Sequence, residues 1–363
     1  MKNTLILLLV PIISFAQIPA NYYLSAENNA DANLKYELNQ IIDNHTIFPY
    51  TSSSTDVWDI LKETDRDPNN PDNVIMLYSG ISINAAQEYN NTNGWTREHV
   101  WAKSRGNFGT NNGPGTDVHA LRPLDANTNS TRSNRGFDNC TSCAIVYDKW
   151  GNNTGSFKDS NDWSFEPRPE VKGDVARMMF YMVVRYEGYE VSVDDDGNDI
   201  YLDLELSETI LPITDKTPFH GILSTLLEWH RNDPVDSWEE NRNDIIYYNY
   251  QNNRNPFIDH PELAEYLWGN QIGSIWNSSL SIADENQVSL NLYPNPTSDF
   301  VSISGLTNDV VELEIYDTLG KKVLDKTIES NQNKIDVSQL KPGLYLFKLS
   351  ESDNLTLKRI MIL

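Results

Sequence analysis

Cysteine is nearly absent from this chain of 363 residues, which holds only Cys140 and Cys143, in the stretch NCTSC. A disulfide-built scaffold and a four-cysteine zinc module are thereby excluded. In an oxidising compartment the pair is expected to close one small disulfide loop, with free thiols and redox or metal chemistry as the alternatives. Positive charge is also scarce: 28 Lys and Arg stand against 52 Asp and Glu, a formal net charge of -24. A protein that coats nucleic acid through its overall charge is excluded, so polyanion binding would have to rest on a local basic patch. Long apolar runs are confined to the start, MKNTLILLLVPIISFAQ, where Lys2 precedes an apolar stretch from Leu5 to Phe15. That stretch is too short to span a bilayer and reads as a secretory signal peptide over residues 1–16, cut after Ala16. There is no HExxH helix, which argues against a zinc peptidase built on His99 and His119. No helix-turn-helix or zinc-finger pattern offers a means of reading base sequence.

What the chain does contain is enough for a core: 39% hydrophobic residues and 10% aromatics over a length that predicts two domains. Residues 17–270 are rich in Asn, Trp and Tyr and carry several helical patterns. In EVKGDVARMMFYMVVRYEG, residues Val171, Val175, Met178, Met182 and Tyr186 recur on one helical face. FHGILSTLLEWHRND, DSWEENRNDIIYYNYQ and HPELAEYLW predict further helices, the last with Pro261 in its first turn. In SVDDDGNDIYLDLEL, residues Asp194, Asp196, Gly197 and Asp203 have spacings like a calcium loop. Ser192 fills the first ligand position and no Glu closes the loop, so an acidic hairpin turn is the expected reading.

Residues 271–288 read as a linker. Beyond them, over 289–363, DFVSISG, VVELEIYD, KKVLDKTI, NKIDVS, GLYLFKLS and LTLKRIMIL alternate apolar and polar residues between turns. This predicts a small antiparallel β-sandwich without His or Cys, hence without catalytic equipment.

The chemistry-bearing stretch is GWTREHVWAKSRGNFG, residues 94–109, followed by GTDVHALRPLDANTNSTRSNRGFDNC. Between Trp95 and Arg135 lie six basic residues (Arg97, Lys103, Arg105, Arg122, Arg132, Arg135) and three acidic ones (Glu98, Asp117, Asp125). The resulting local charge of +3 (six minus three) runs against the global excess and is expected to hold a phosphate. Glu98 and His99 are adjacent, so on a strand they point to opposite faces and share a site only if the strand ends or twists there. GNFGTNNGPG is a loop, DVHALRP a short strand, and LDANTNSTRSN begins a helix that carries Asn129 and Arg132 on one face. Phosphodiester hydrolysis needs an activated water and stabilisation of developing negative charge. A neutral histidine suits the first need. A hard cation suits the second, binding carboxylate and amide oxygens at about 2.0–2.1 Å for Mg²⁺.

Strand, loop, strand and helix, with histidine on the first strand and asparagine on the helix, resembles the His-Me (ββα-metal) finger. The motifs REHVWAKS, DVHALRPLDANTNSTRSN, FEPRPEVKGDVARMMFYMVVRY, LLEWHRNDPVDSWEENRND and QNNRNPFIDHPELAEYLW are similar to the endonuclease I family of secreted bacterial nucleases, over roughly residues 40–268. The resemblance implies an α+β fold: a His-Me finger nuclease domain with surrounding helices, followed by the sandwich. It implies that His99 is the general base, Glu98 and Asn129 the metal ligands, and Arg132 a phosphate contact, with Asp117 and His119 supporting. Ala120 departs from the family pattern, in which His or Asn often follows the second histidine. The implied cofactor is a divalent metal, Mg²⁺ with Mn²⁺ or Ca²⁺ as alternatives. The implied substrate is DNA, and RNA as a further candidate, cut with little sequence specificity to leave 5′-phosphates. LYPNPTSDFVSI, IYDTLGKKV, LKPGLYLFKL and LKRIMIL resemble the C-terminal sorting domain of type IX secretion, which implies that export machinery as a partner and a secreted or surface location. A monomer is expected. The competing function is a non-catalytic adhesin or nucleic-acid-binding protein that keeps the nuclease fold. Of the remaining histidines, His230 and His260 are expected to pack or cap, and His45 and His220 carry no signal.

Overall fold

The computed structural model describes residues 18–193, 199–278, 291–293, 297–304, 310–316, 321–329, 334–351 and 354–362. The expected signal peptide and most of the expected linker lie outside the described residues. The chain divides into two units, 1–281 and 282–363.

The first unit is built around one helix. Helix α1 (Asp31–Asp43) turns Leu34, Leu38 and Ile42 inward at i, i+4 and i+8. Helix α2 (Val57–Thr64) starts at a capping box in which Asp56 and Asp59 each accept from the other's backbone. The short helix α3 (Ala126–Arg132) is capped by Asp125. Helix α4 (Lys172–Arg185) is the centre: every residue from Gly173 to Arg185 is buried. The expected single apolar face is therefore replaced by burial all round. Its polar residues are paired rather than solvated, Arg177 to Glu239 and Arg185 to Asp43 and His45. Helices α5 (Leu223–Asn232), α6 (Ser237–Ile245), α7 (Pro256–Asp259) and α8 (Leu263–Trp268) complete the helical part, and a π-helical turn, Ile246–Gln251, continues α6.

Strands β1 (Arg66–Asp67), β2 (Asn70–Ile75) and β3 (Ser82–Asn84) form one small antiparallel sheet, and β4 (Trp95–His99) pairs antiparallel with β5 (Leu121–Asp125). A further sheet has the order β6-β9-β8-β7, where β6 is Gly136–Phe137, β7 Cys143–Tyr147, β8 Asn153–Asp159 and β9 Ser164–Glu166. Strands β10 (Tyr189–Val193) and β11 (Asp199–Leu202) pair antiparallel on either side of residues 194–198. The calcium-loop residues Asp194, Asp196 and Gly197 lie outside the described residues. Strands β12 (Glu205–Ser207) and β13 (Phe219–Ile222) form a parallel pair.

The expected linker begins too early. Trp276 is fully buried in the main core, and its backbone exchanges hydrogen bonds with Asn28 and Asn29 (2.9 and 2.8 Å). A large indole gains more from burial than from solvent, so residues 271–278 pack as a strap on the first unit.

In the second unit, β14 (Asn291–Tyr293), β15 (Phe300–Ser304) and β18 (Lys334–Asp336) form one antiparallel sheet in the order β14-β15-β18. Strands β16 (Val310–Tyr316), β17 (Lys322–Glu329), β19 (Gly343–Glu351) and β20 (Asn354–Ile362) form another, in the order β17-β16-β19-β20. Val301, Ile303 and Ile335 from the first join Leu313, Ile315, Phe347 and Leu349 from the second in one buried cluster. No helix among the described residues is long and apolar enough to cross a membrane.

Candidate active site

The site grows from the edge of a two-stranded ladder. Val100 N–H donates to Ala120 O at 2.9 Å, so even-numbered residues of β4 bond to β5 and the odd-numbered carbonyls face outward. Pro123 sits opposite Arg97, a position where its missing N–H costs no ladder bond. Helix α3 serves the outward carbonyls with side chains: Asn129 Nδ2 donates to Arg97 O (3.2 Å) and Arg132 Nη1 to His99 O (3.4 Å). The i, i+3 spacing of Asn129 and Arg132 thus matches the two-residue repeat of the strand. The second strand begins at Leu121, later than expected, because Val118–Ala120 forms a 3-10 turn capped by Asp117.

Glu98 and His99 do point to opposite faces. Glu98 is buried; its Oε1 accepts from the Tyr78 hydroxyl (3.0 Å) and lies 3.3 Å from Arg132 Nε. Burial pushes its carboxyl up to about 7, against the opposing pull of Arg132 and Tyr78. His99 is the last residue of β4. Its ring stacks on Tyr50 (centroids 5.6 Å apart), and its Nε2 lies 3.0 Å from Gly115 O. A carbonyl only accepts, so Nε2 carries the hydrogen and Nδ1 keeps the lone pair. Burial, reinforced by Lys103, Arg97 and Arg132, depresses the imidazole to about 3 and keeps it neutral. Gly115 is required by close approach, since a Cβ there would lie 2.6–2.8 Å from Asn111 O, Asn111 N and Gly109 O.

Asp117 and His119 occupy an interior network behind this carbonyl. Asp117 accepts from the hydroxyls of Tyr181 (2.8 Å) and Tyr186 (2.9 Å), from Gln251 Nε2 (3.1 Å) and from His119 N–H (3.0 Å). Burial alone would raise its carboxyl; His45, His119, Gln251 and Arg185 outweigh it and hold it at about 2. His119 contacts Asn253 O (3.1 Å), and burial lowers it to about 4 despite Asp117. These groups fix the segment that presents Gly115 O to His99.

The basic cluster is placed differently from expectation. Arg132 is fully buried, its guanidinium held by Glu98, by the carbonyls of His99, Val100 and Ser133, and by His220 Nε2 (3.0 Å). It stands in the interior beside Glu98, as buried as that carboxylate. Arg105 donates to Asp215 O, Asn134 O and Leu211 O, and Arg122 pairs with Asp65 and Asp174. Arg97 lies over Tyr50 (3.4 Å) and Trp58 (4.1 Å). The +3 stretch therefore holds the fold together, because a guanidinium with five donors satisfies interior carbonyls and carboxylates well. Lys103 stays exposed and Arg135, half-buried, lies over Trp163 at 3.7 Å.

Tyr50, Tyr78, Gly115 and His220 carry no legible signal in the sequence beyond the glycine-rich character of the 106–115 loop. Cys140 and Cys143 are joined in a disulfide. Glu166 lies beside them, and its Oε2 accepts from Cys140 N–H (2.9 Å). With both sulfurs bonded to each other, this group is not a metal site. His230 bonds Pro261 O (2.8 Å), and His260 packs edge-on to Tyr23 and Trp276.

The two-stranded ladder thus carries a histidine at its end, with a buried carboxylate and a helix amide along its edge. Residues 30–262 match the family model described as Endonuclease I, and the chain belongs to that family. Residues 291–363 match the model described as a secretion system C-terminal sorting domain. The chain is 48% identical over 271 residues to an extracellular ribonuclease of Bacillus subtilis (strain 168), covering 73% of this chain and 84% of the relative. It is 49% identical over 252 residues to an extracellular ribonuclease of Bacillus amyloliquefaciens, covering 68% and 78%. The protein is a secreted nuclease that acts on nucleic acid and leaves the cell through a sorting-domain secretion route.

Proposed function

We propose that this nuclease is a metal-dependent endonuclease that cuts RNA and DNA with little sequence preference and leaves 5′-phosphate ends, and that β4, β5 and α3 work as a ββα-metal finger. The observation that supports the reading is the neutral His99 at the end of β4, with Nε2–H spent on Gly115 O and Nδ1 left unprotonated as a base. In the reaction Nδ1 takes a proton from water as its oxygen bonds to phosphorus. The bond to the 3′-oxygen breaks, and that oxygen is protonated from solvent.

Glu98 and Asn129 fit a hard cation. Glu98 is a buried carboxylate whose Oε1 faces Arg132 and Tyr78, and Asn129 spends its N–H on Arg97 O, which leaves an amide oxygen as ligand. Bound there, Mg²⁺, Mn²⁺ or Ca²⁺ would supply positive charge to the departing 3′-oxygen. Arg132 and Tyr78 orient the Glu98 carboxylate. That both relatives are extracellular ribonucleases supports RNA as substrate alongside DNA.

The test is digestion of plasmid DNA and of ribosomal RNA by purified protein, with a chelator and with a panel of divalent ions. Cleavage of both polymers, abolished by chelator and restored by ions, is expected. Undiminished cleavage in chelator would overturn the metal dependence, and cleavage of one polymer only would overturn the dual substrate range.

A further inference from the structure

Aromatic side chains stand in solvent beside α3. On the edge strand β7, Tyr147 is 50% exposed and Ile145, on the same face, 40%; Trp150, in the turn that follows, is 47% exposed. The hairpin is anchored on the helix that carries Asn129. Asn127 Nδ2 donates to Tyr147 O (2.8 Å), and Lys149 N–H donates to Asp125 Oδ1 (3.0 Å), the same oxygen that caps α3. Lys149 Nζ reaches on to Asn93 Oδ1 (2.7 Å), two residues before β4 begins. Nearby in sequence Tyr89, 54% exposed, is held at φ 48. A bulky residue at positive φ is strained, and such strain clusters at functional sites. The hairpin meets the Trp95 end of the ladder, and from Trp95 to His99 the strand covers about 14 Å, the span that a bound chain touching both would cross.

Charge says what covers them. The protein carries a net -24, and Arg97, Arg105, Arg122 and Arg132 are buried in internal contacts. Beyond the proposed cation and Lys103, phosphate neutralisation is thus a limited source of affinity, and an uncharged contact would add to it. Base stacking on aromatic rings supplies that, and only bases freed from a duplex can use it.

We infer that Tyr147 and Trp150 form a stacking platform for unpaired nucleobases, which directs this nuclease to single-stranded nucleic acid. The inference rests on the nuclease reading and adds a substrate class to it.

The test compares parent, Tyr147→Ala/Trp150→Ala and Tyr147→Phe/Trp150→Phe proteins on oligothymidylate and on a duplex of equal length. Stacking of a base or two corresponds to about a tenfold rise in KM for the single strand in the alanine protein. The phenylalanine protein should restore it, and KM on duplex should move less than twofold. Binding of oligothymidylate in chelator, followed by fluorescence anisotropy, should show the same loss without any turnover. Equal effects on both substrates, or a change under twofold on the single strand, would overturn the platform. A parent that binds oligothymidylate through these rings but cuts nothing would instead overturn the catalytic reading.

Discussion

His99 and Glu98 are neighbours in sequence for which separate duties are proposed, base and metal ligand, and substitution should separate them. His99→Ala removes the proton acceptor and should lower kcat by about 10²–10⁴-fold with metal affinity little changed. Glu98→Ala should weaken the metal instead, by about tenfold or more. Calorimetric titration of the divalent ion beside steady-state rates distinguishes them, and reversed effects would contradict the assignment. The carbonyl of Gly115 gives His99 its tautomer, so a backbone atom that no side-chain scan would test decides which nitrogen is basic.

At the scale of elements, Asp125 is the pivot. It ends β5, caps α3 through the N–H groups of Asn127 (3.0 Å) and Thr128 (2.9 Å), and accepts from Lys149. Asp125→Ala should cost roughly 1–2 kcal/mol in denaturant unfolding, with a larger fractional loss of activity because Asn129 rides on that helix. The order of strand, loop, strand and helix was legible because the Gly-rich stretch GNFGTNNGPG marks a loop between two short segments and because the motifs on either side resemble a known family. Two misreadings have physical causes. Counting charge could not show that Arg97, Arg105, Arg122 and Arg132 point inward, since a buried guanidinium and a solvated one are the same letter. A helix enclosed on every side, as α4 is, keeps its charged residues by pairing them, so its periodicity is only one face of a larger pattern. Tyr78, Tyr50 and His220 reach the site from distant segments, which local spacing cannot reveal.

For the whole molecule, acid should be destabilising early. His119 is lowered to about 4 and His230 to about 4, and His45 and His220 are also depressed by burial. A depressed histidine is neutral in both states above its unfolded pKa of about 6.5, so its contribution is complete there. As pH falls from 6.5 to 4 the unfolded chain takes up protons that the native interior refuses, and stability declines. His119 alone accounts for roughly 3 kcal/mol over that window. Melting temperatures measured between pH 7.5 and 4 should fall steadily, and His119→Asn should flatten the curve; a flat parental curve would contradict this.

The strap makes a second prediction at this scale. A chain ending at Ser281 should keep the unfolding free energy of the nuclease unit, whereas one ending at Asn270 loses buried Trp276 and about 3–5 kcal/mol. Denaturant titration of the two truncations checks it.

That same strap closes the first unit into a ring. Trp276 is stitched to Asn28 and Asn29, Gly273 N–H reaches Asp31, and Ser278 N–H reaches Glu27 at 3.1 Å. The polypeptide enters and leaves the nuclease body at one seam, so a short graft across the seam would let the chain be opened elsewhere and reordered. The two ends of the nuclease body are thereby held side by side, the arrangement that tolerates such reordering.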